Sequence, residues 1–214
     1  MGKYVIAQPA VSELVVEKSR FICTLARVET EAEAQAFVKA MKKKYWDARH
    51  NCSAYIVGAD NRVERSSDDG EPGGTAGSPM LEVLRRKGLY NTAAVVTRYF
   101  GGIKLGAGGL TRTYGKSVAQ TVEKAGLAER IPMGDYTFLW SLDDVGRVLN
   151  LLYQQDLFTV GDVEYSNRAR LHIVMPESDK AKAEAWLTEA LSRPVELEEE
   201  RKFFKECRVK SDPV

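Results

Sequence analysis

A chain of 214 residues with 44% apolar residues is long enough for one large domain or two small ones and has the material for a real core. Its net charge of only +1 excludes a globally basic nucleic-acid binder, so any anion-binding surface has to be local. Three scattered cysteines, Cys23, Cys52 and Cys207, without a CxxC pair argue against a disulfide framework or a zinc site, and an opening MGKYVIAQPAV without an apolar signal core, with Ile6 where myristoylation needs Ser or Thr, leads us to expect a soluble cytoplasmic protein with no membrane partner.

Glu13 to Glu29 is rich in β-branched and apolar residues and is interrupted by Glu17-Lys18-Ser19, which predicts two strands joined by a polar turn. Thr30 followed by Glu33 is a capping box, and Ala34, Phe37, Val38 and Met41 recur at helical spacing up to Lys42-Lys43-Lys44, which suits the negative end of a helix. Asn51 to Ala59 reads as a strand, Asp60-Asn61 as a turn, and Arg62 to Ser66 as a short returning strand. Pro79 to Lys87, closed by Gly88, predicts a helix. Asn91 to Phe100 then predicts a strand whose Ala93-Ala94-Val95-Val96 run places it mid-sheet. From Gly108, Leu110, Tyr114, Val118, Val122 and Ala125 follow helical spacing until Gly126.

Ile131-Pro132-Met133-Gly134 reads as a boundary. Beyond it, strand, helix, two strands around Ser166-Asn167, helix and strand give the βαββαβ order of a ferredoxin-like domain. The expected fold class is therefore α+β, with a domain over residues 1–132, a ferredoxin-like domain over 135–206 and a tail over 207–214. No catalytic constellation stands out in the second half, and Glu196 to Glu200 reads as a charged strand edge.

The chemistry concentrates in two glycine-rich loops. The second, Gly101-Gly102-Ile103-Lys104-Leu105-Gly106-Ala107-Gly108-Gly109, lies between a buried strand and a helix N-terminus, where unpaired amides and a partial positive charge attract anions. Arg98, Lys104, Arg112 and Lys116 accompany it without an intervening acid. Tyr99 and Phe100 sit on opposite sides of the strand end, so that one ring can stack on a base. The competing reading gives the glycines to tight turns and helix packing and the cations to water. In the first loop, Asp68, Asp69 and Glu71 suit Mg²⁺ beside a phosphate, a cap on the following turn, or pairing with Arg98 and Arg49. His50 with Arg49 is an accessory candidate whose partner the sequence does not supply.

Three motifs, Ala48-Arg49-His50-Asn51-Cys52-Ser53-Ala54, Ser67-Asp68-Asp69-Gly70-Glu71-Pro72-Gly73-Gly74-Thr75-Ala76-Gly77 and Val95 to Leu110, closely resemble, in order and spacing, the signature of the Impact family in its bacterial YigZ-type branch. The resemblance implies an N-terminal domain like the second domain of a small-subunit ribosomal protein and domain IV of elongation factor G. It implies a C-terminal domain like the last domain of that factor. It further implies a link to translation, since eukaryotic Impact regulates initiation through protein contacts, although with a different second domain.

Two functions stay open at this stage. One is a translation-linked regulatory protein that recognises RNA, the ribosome or a translation-related protein through the Arg98 to Lys116 surface, with no cofactor and no DNA sequence specificity. The other is a Mg²⁺-dependent enzyme of a phosphate-bearing small molecule, since the strand, glycine loop and helix also resemble the phosphate loop of GHMP-type kinases. The chain has no P-loop, GxSxG or HExxH motif.

Overall fold

In the computed structural model, which describes residues 2–60 and 63–209, the chain divides into two units, Met1–Arg130 with Cys207–Val214, and Ile131–Glu206. The first unit opens with β1 (Tyr4–Ile6), β2 (Ala10–Val16) and β3 (Ser19–Arg27). Glu17 and Lys18 both adopt positive φ, 46° and 62°, the geometry that a two-residue hairpin requires. Helix α1 (Glu31–Lys44) starts where the sequence predicts: the Glu33 amide donates to Thr30 Oγ1 at 3.2 Å, and Glu33 Oε2 accepts from the Glu29 amide at 2.8 Å.

Next come β4 (His50–Val57), β5 (Val63–Ser67), α2 (Gly77–Arg86), β6 (Thr92–Tyr99) and α3 (Gly106–Ala125). Asn61 and Arg62, part of the expected turn and returning strand, lie outside the described residues. The five strands form an antiparallel sheet in the order β2-β3-β6-β4-β5. β6 is buried from Thr92 to Arg98, because strands cover both its edges and helices both its faces. On one face Phe21, Cys23, Cys52, Ala94 and Val96 pack against Met80 and Leu84 of α2 and against Leu110, Tyr114, Val118 and Val122 of α3. The α3 residues are the stripe that the four-residue spacing predicts. On the other face Ala93, Tyr55 and Val57 pack with Ala34 and Phe37 of α1.

Strand β7 (Leu127–Trp140) runs through Ile131-Pro132-Met133-Gly134, so the strand expected beyond that segment starts before it, while the two units divide between Arg130 and Ile131, next to the expected boundary. Leu127 to Glu129 pair with β1, and Met133 to Trp140 pair with β9 (Ala169–Pro176). Gly134 is there for space: a Cβ at this position would lie 2.3 Å from the Tyr136 ring. The second unit continues with α4 (Val145–Leu152), β8 (Thr159–Tyr165) on the far side of β9, a 3-10 turn (Glu177–Asp179), α5 (Lys180–Ala190), and β10 (Glu198–Arg208), which pairs with β7. Tyr136, Phe138 and Trp140 alternate into a core with Leu171, Ile173, Met175, Val148 and Leu187. The whole is α+β. No helix of the described residues is long and apolar enough to cross a membrane.

Candidate anion-binding cleft

Arg98 pairs across the sheet with His50 of β4 and with Phe21 of β3. Strand alternation turns its side chain to the face shared with α2 and α3, beneath the start of α3. There its guanidinium is buried, with the side chain 7% exposed, and Nη1 donates to Glu71 Oε1 at 2.7 Å. The Tyr114 hydroxyl of α3 donates to the same carboxylate oxygen at 2.9 Å. Glu71 therefore ties the first glycine loop to β6 and to α3. Of the two readings of Arg98, a free cation beside the second loop and a partner for an acid of the first, the structure has the second, through Glu71.

A cleft of about 330 Å³ opens above this pair. Arg49 and His50 line it on one side, Lys104, Leu105, Gly106 and Ala107 on another, and Phe100, Pro72 and Leu110 supply apolar wall. Arg49 and Lys104 are exposed and make no ion pair among the described residues. His50 Nδ1 lies 2.9 Å from the Asp69 carbonyl oxygen. A carbonyl only accepts, so Nδ1 carries the proton. Among the described residues no side chain caps α3, whose N-cap position is Leu105, and its first-turn amides are left for solvent or a ligand. Thus two free cations and an uncapped 20-residue helix converge on a cleft whose one carboxylate is already neutralised.

The first loop has a different job. Asp68 accepts hydrogen bonds from the amides of Gly74, Ala76 and Gly77 at 2.8, 3.0 and 2.8 Å and so closes the N-terminus of α2 from a distance. Burial opposes ionisation of Asp68, but these three amides outweigh it and hold the carboxyl below the usual range. Asp69 accepts from the Asn51 amide at 2.7 Å and pairs with Lys42. Neither carboxylate lines the cleft. Among the described residues no group of three or more His, Cys, Asp or Glu side chains is placed to hold a metal ion. The Cys52 thiol sits 3.0 Å from the Asp68 carbonyl oxygen and 3.3 Å from the Tyr114 hydroxyl. Burial pushes it up to about 12, as it does Cys23, so both thiols are inert at neutral pH.

The remaining sequence candidates divide sharply. Tyr99 turns to the α1 face, where its hydroxyl donates to Asp47 at 2.9 Å and Arg20 lies over its ring. Phe100, 45% exposed, is the ring that reaches the cleft. Gly101 is required by close approach to the β2–β3 turn, and its amide donates to Ser19 Oγ at 3.1 Å. Positive φ belongs to Gly102 and Gly106, at 90° and 67°, whereas Gly108 and Gly109 are ordinary residues of the first turns of α3. Arg112 and Lys116 are exposed on α3; Arg112 borders a neighbouring depression with Lys104. Sequence reasoning missed Trp46, 82% exposed between Lys44 and Arg49. An aromatic among basic residues was the available signal.

A Cβ on Gly108 would meet nothing closer than an Arg112 nitrogen at 3.9 Å. Gly108→Ala is therefore expected to stabilise the first unit by about 0.4–1 kcal/mol, since alanine restricts the unfolded chain and suits a helix. Thermal denaturation of the two proteins checks this, and a lowered midpoint would contradict the helical assignment of this residue.

An α+β protein with a basic cleft at the start of a long helix is the class this geometry defines. The family model for the Impact N-terminal domain matches residues 17–122, and that for a domain of unknown function, DUF1949, matches residues 142–192. IMPACT family member YvyE of Bacillus subtilis is 44% identical over 92% of this chain and 90% of its own length. IMPACT family member YigZ of Escherichia coli is 38% identical over 85% and 91%. The crystal structure of a hypothetical protein, 34% identical, superposes with a TM-score of 0.59 over 91% of this chain and 95% of that one. The chain belongs to the IMPACT family.

Proposed function

We propose that this protein is a non-enzymatic regulator in translation that binds RNA through the cleft and the cations around it. The observation that carries the reading is the uncapped start of α3 beside the unpaired Arg49 and Lys104, an arrangement that ordinary packing does not require. Arg112 and Lys116 extend the positive charge along α3, one turn apart. Family membership supports the link to translation, because regulation of initiation is what the Impact resemblance implies for the eukaryotic members. Trp46 stands on the same turn as Arg49, next to Lys43 and Lys44, as an unpacked ring on which a base can stack.

The test is the salt dependence of RNA affinity. With Arg49, Lys104, Arg112 and Lys116 each neutralising a phosphate on a single strand, the log-log slope is expected to be about −3, from roughly −0.7 per contact. Alanine at any one of the four should remove a little under one unit of slope and weaken all sequences alike. Trp46→Ala should instead lower affinity by about 1–3 kcal/mol with the slope unchanged. A flat slope, or one that none of the four substitutions alters, rules the reading out.

A further inference from the structure

The geometry points to a specific occupant of the cleft: a terminal phosphate monoester with its adjoining base, that is, a nucleoside monophosphate group, presented by the end of an RNA strand or by a free nucleotide. The inference rests on the cleft being an anion site and adds what kind of anion it takes.

Charge comes first. Arg49 and Lys104 are two unpaired cations on the cleft, and the start of α3 adds about half a positive charge. A phosphate monoester carries about −1.5 to −2 at neutral pH, whereas an internal phosphodiester carries a single charge and leaves one cation unmatched. The floor gives an independent pointer. Arg98, 7% exposed, lines the cleft with its Nη1 on Glu71, while its Nε, closed to solvent beneath the floor, has no hydrogen-bond partner among the described residues, so the guanidinium is only partly satisfied. A buried donor left unsatisfied is costly, and an anionic oxygen is the natural partner for a guanidinium.

Size and surface then limit the rest of the ligand. About 330 Å³ lies at the low end of small-ligand sites, enough for one ring and one phosphate group. Phe100 presents an exposed ring at the mouth, with the Arg98 guanidinium 5.5 Å from its centroid on the protein side. A base stacked on Phe100 would place its phosphate towards Lys104 and Gly106. A metal-chelated triphosphate suits the cleft poorly, because Glu71, the one carboxylate lining it, is held by Arg98 and Tyr114 and Mg²⁺ is normally held by one or two protein carboxylates besides the phosphates.

The experiment uses the full chain and one single-stranded RNA sequence with 5′-phosphate, 3′-phosphate or hydroxyl ends, measured by fluorescence anisotropy, with adenosine 5′-monophosphate and adenosine as competitors. One phosphate-ended strand is expected to bind about tenfold or more tighter than the hydroxyl-ended strand. The monophosphate should compete and adenosine should not. Lys104→Ala should erase the end preference, and Phe100→Ala should weaken the monophosphate; both side chains are exposed, so the fold is not at stake. If the monophosphate binds in a Lys104-dependent way while no RNA binds, the cleft assignment stands with a free nucleotide as the source, and the RNA reading falls. Equal binding of all three strands with a normal salt slope and no competition by the monophosphate would overturn this inference and leave the RNA reading intact.

Discussion

Glu71→Ala is expected to destabilise the first unit by about 3–5 kcal/mol, because it strands the buried Arg98 guanidinium without its counter-charge. The same substitution deprives the Tyr114 hydroxyl of its acceptor, a smaller loss of about 1 kcal/mol that Tyr114→Phe measures alone. Tryptophan fluorescence is a poor probe here, since Trp140 and Trp186 belong to the second core and only Trp46 to the first unit. Hydrogen exchange of the β3 and β6 amides under native conditions reads the right region. The control is the double replacement Glu71→Leu with Arg98→Met, which removes both charges and should cost far less than Glu71→Ala. If the single substitution costs under about 1 kcal/mol, the pair is solvated and the cleft floor is not as described.

Gly101→Ala should be nearly as damaging, by about 3 kcal/mol, for a reason unrelated to charge. The added Cβ would lie 2.0 Å from the carbonyl carbon and 2.2 Å from the carbonyl oxygen of Lys18, and 2.4 Å from the Ser19 nitrogen. Those are backbone atoms of a tight turn, held by the β2–β3 ladder on both sides, and they have no rotamer through which to yield. Gly102→Ala provides the contrast. Its Cβ meets open space, and only the left-handed φ of 90° resists it, so a cost of about 1–2 kcal/mol is expected. The same exchange measurement ranks the two, and the reverse order would mean that the β6 end does not approach the hairpin.

The elements were legible wherever one periodicity dominated. Thr30 and Glu33 announced α1, the Leu110-Tyr114-Val118-Val122 stripe gave the buried face of α3, and Ala93 to Val96 marked the central strand. Local punctuation failed where tertiary structure overrode it. Pro132 and Gly134 lie close to the division between the units, but they do not interrupt the strand, because cross-strand pairing with Met175 and Pro176 carries β7 through them. The cleft was half legible: the glycines, Lys104 and Arg49 were singled out together. Pairing of the first-loop acids with Arg98 was one of three readings of that loop, but nothing in the sequence singles out Glu71 for it, since 27 residues separate the two and either can pair with other charges. Nor does it say which of two adjacent aromatics faces inward, because that depends on the strand's phase relative to α3. Asp68 illustrates the point: capping was one of three readings of its loop, and only the fold brings three amides to one carboxylate.

The division of the chain also sets an order in time. The first unit is interrupted by Ile131–Glu206 and resumes at Cys207; the Val209 amide donates to the Leu127 carbonyl at 2.9 Å, and Arg208 reaches Gln8 at 3.2 Å. During synthesis, at about 5–20 residues per second, Leu127 waits several seconds for Val209 while the whole second unit is made. The first unit is thus born with one flank of β7 unpaired, and a chain that stalls inside Ile131–Glu206 would keep that flank as a template for another strand.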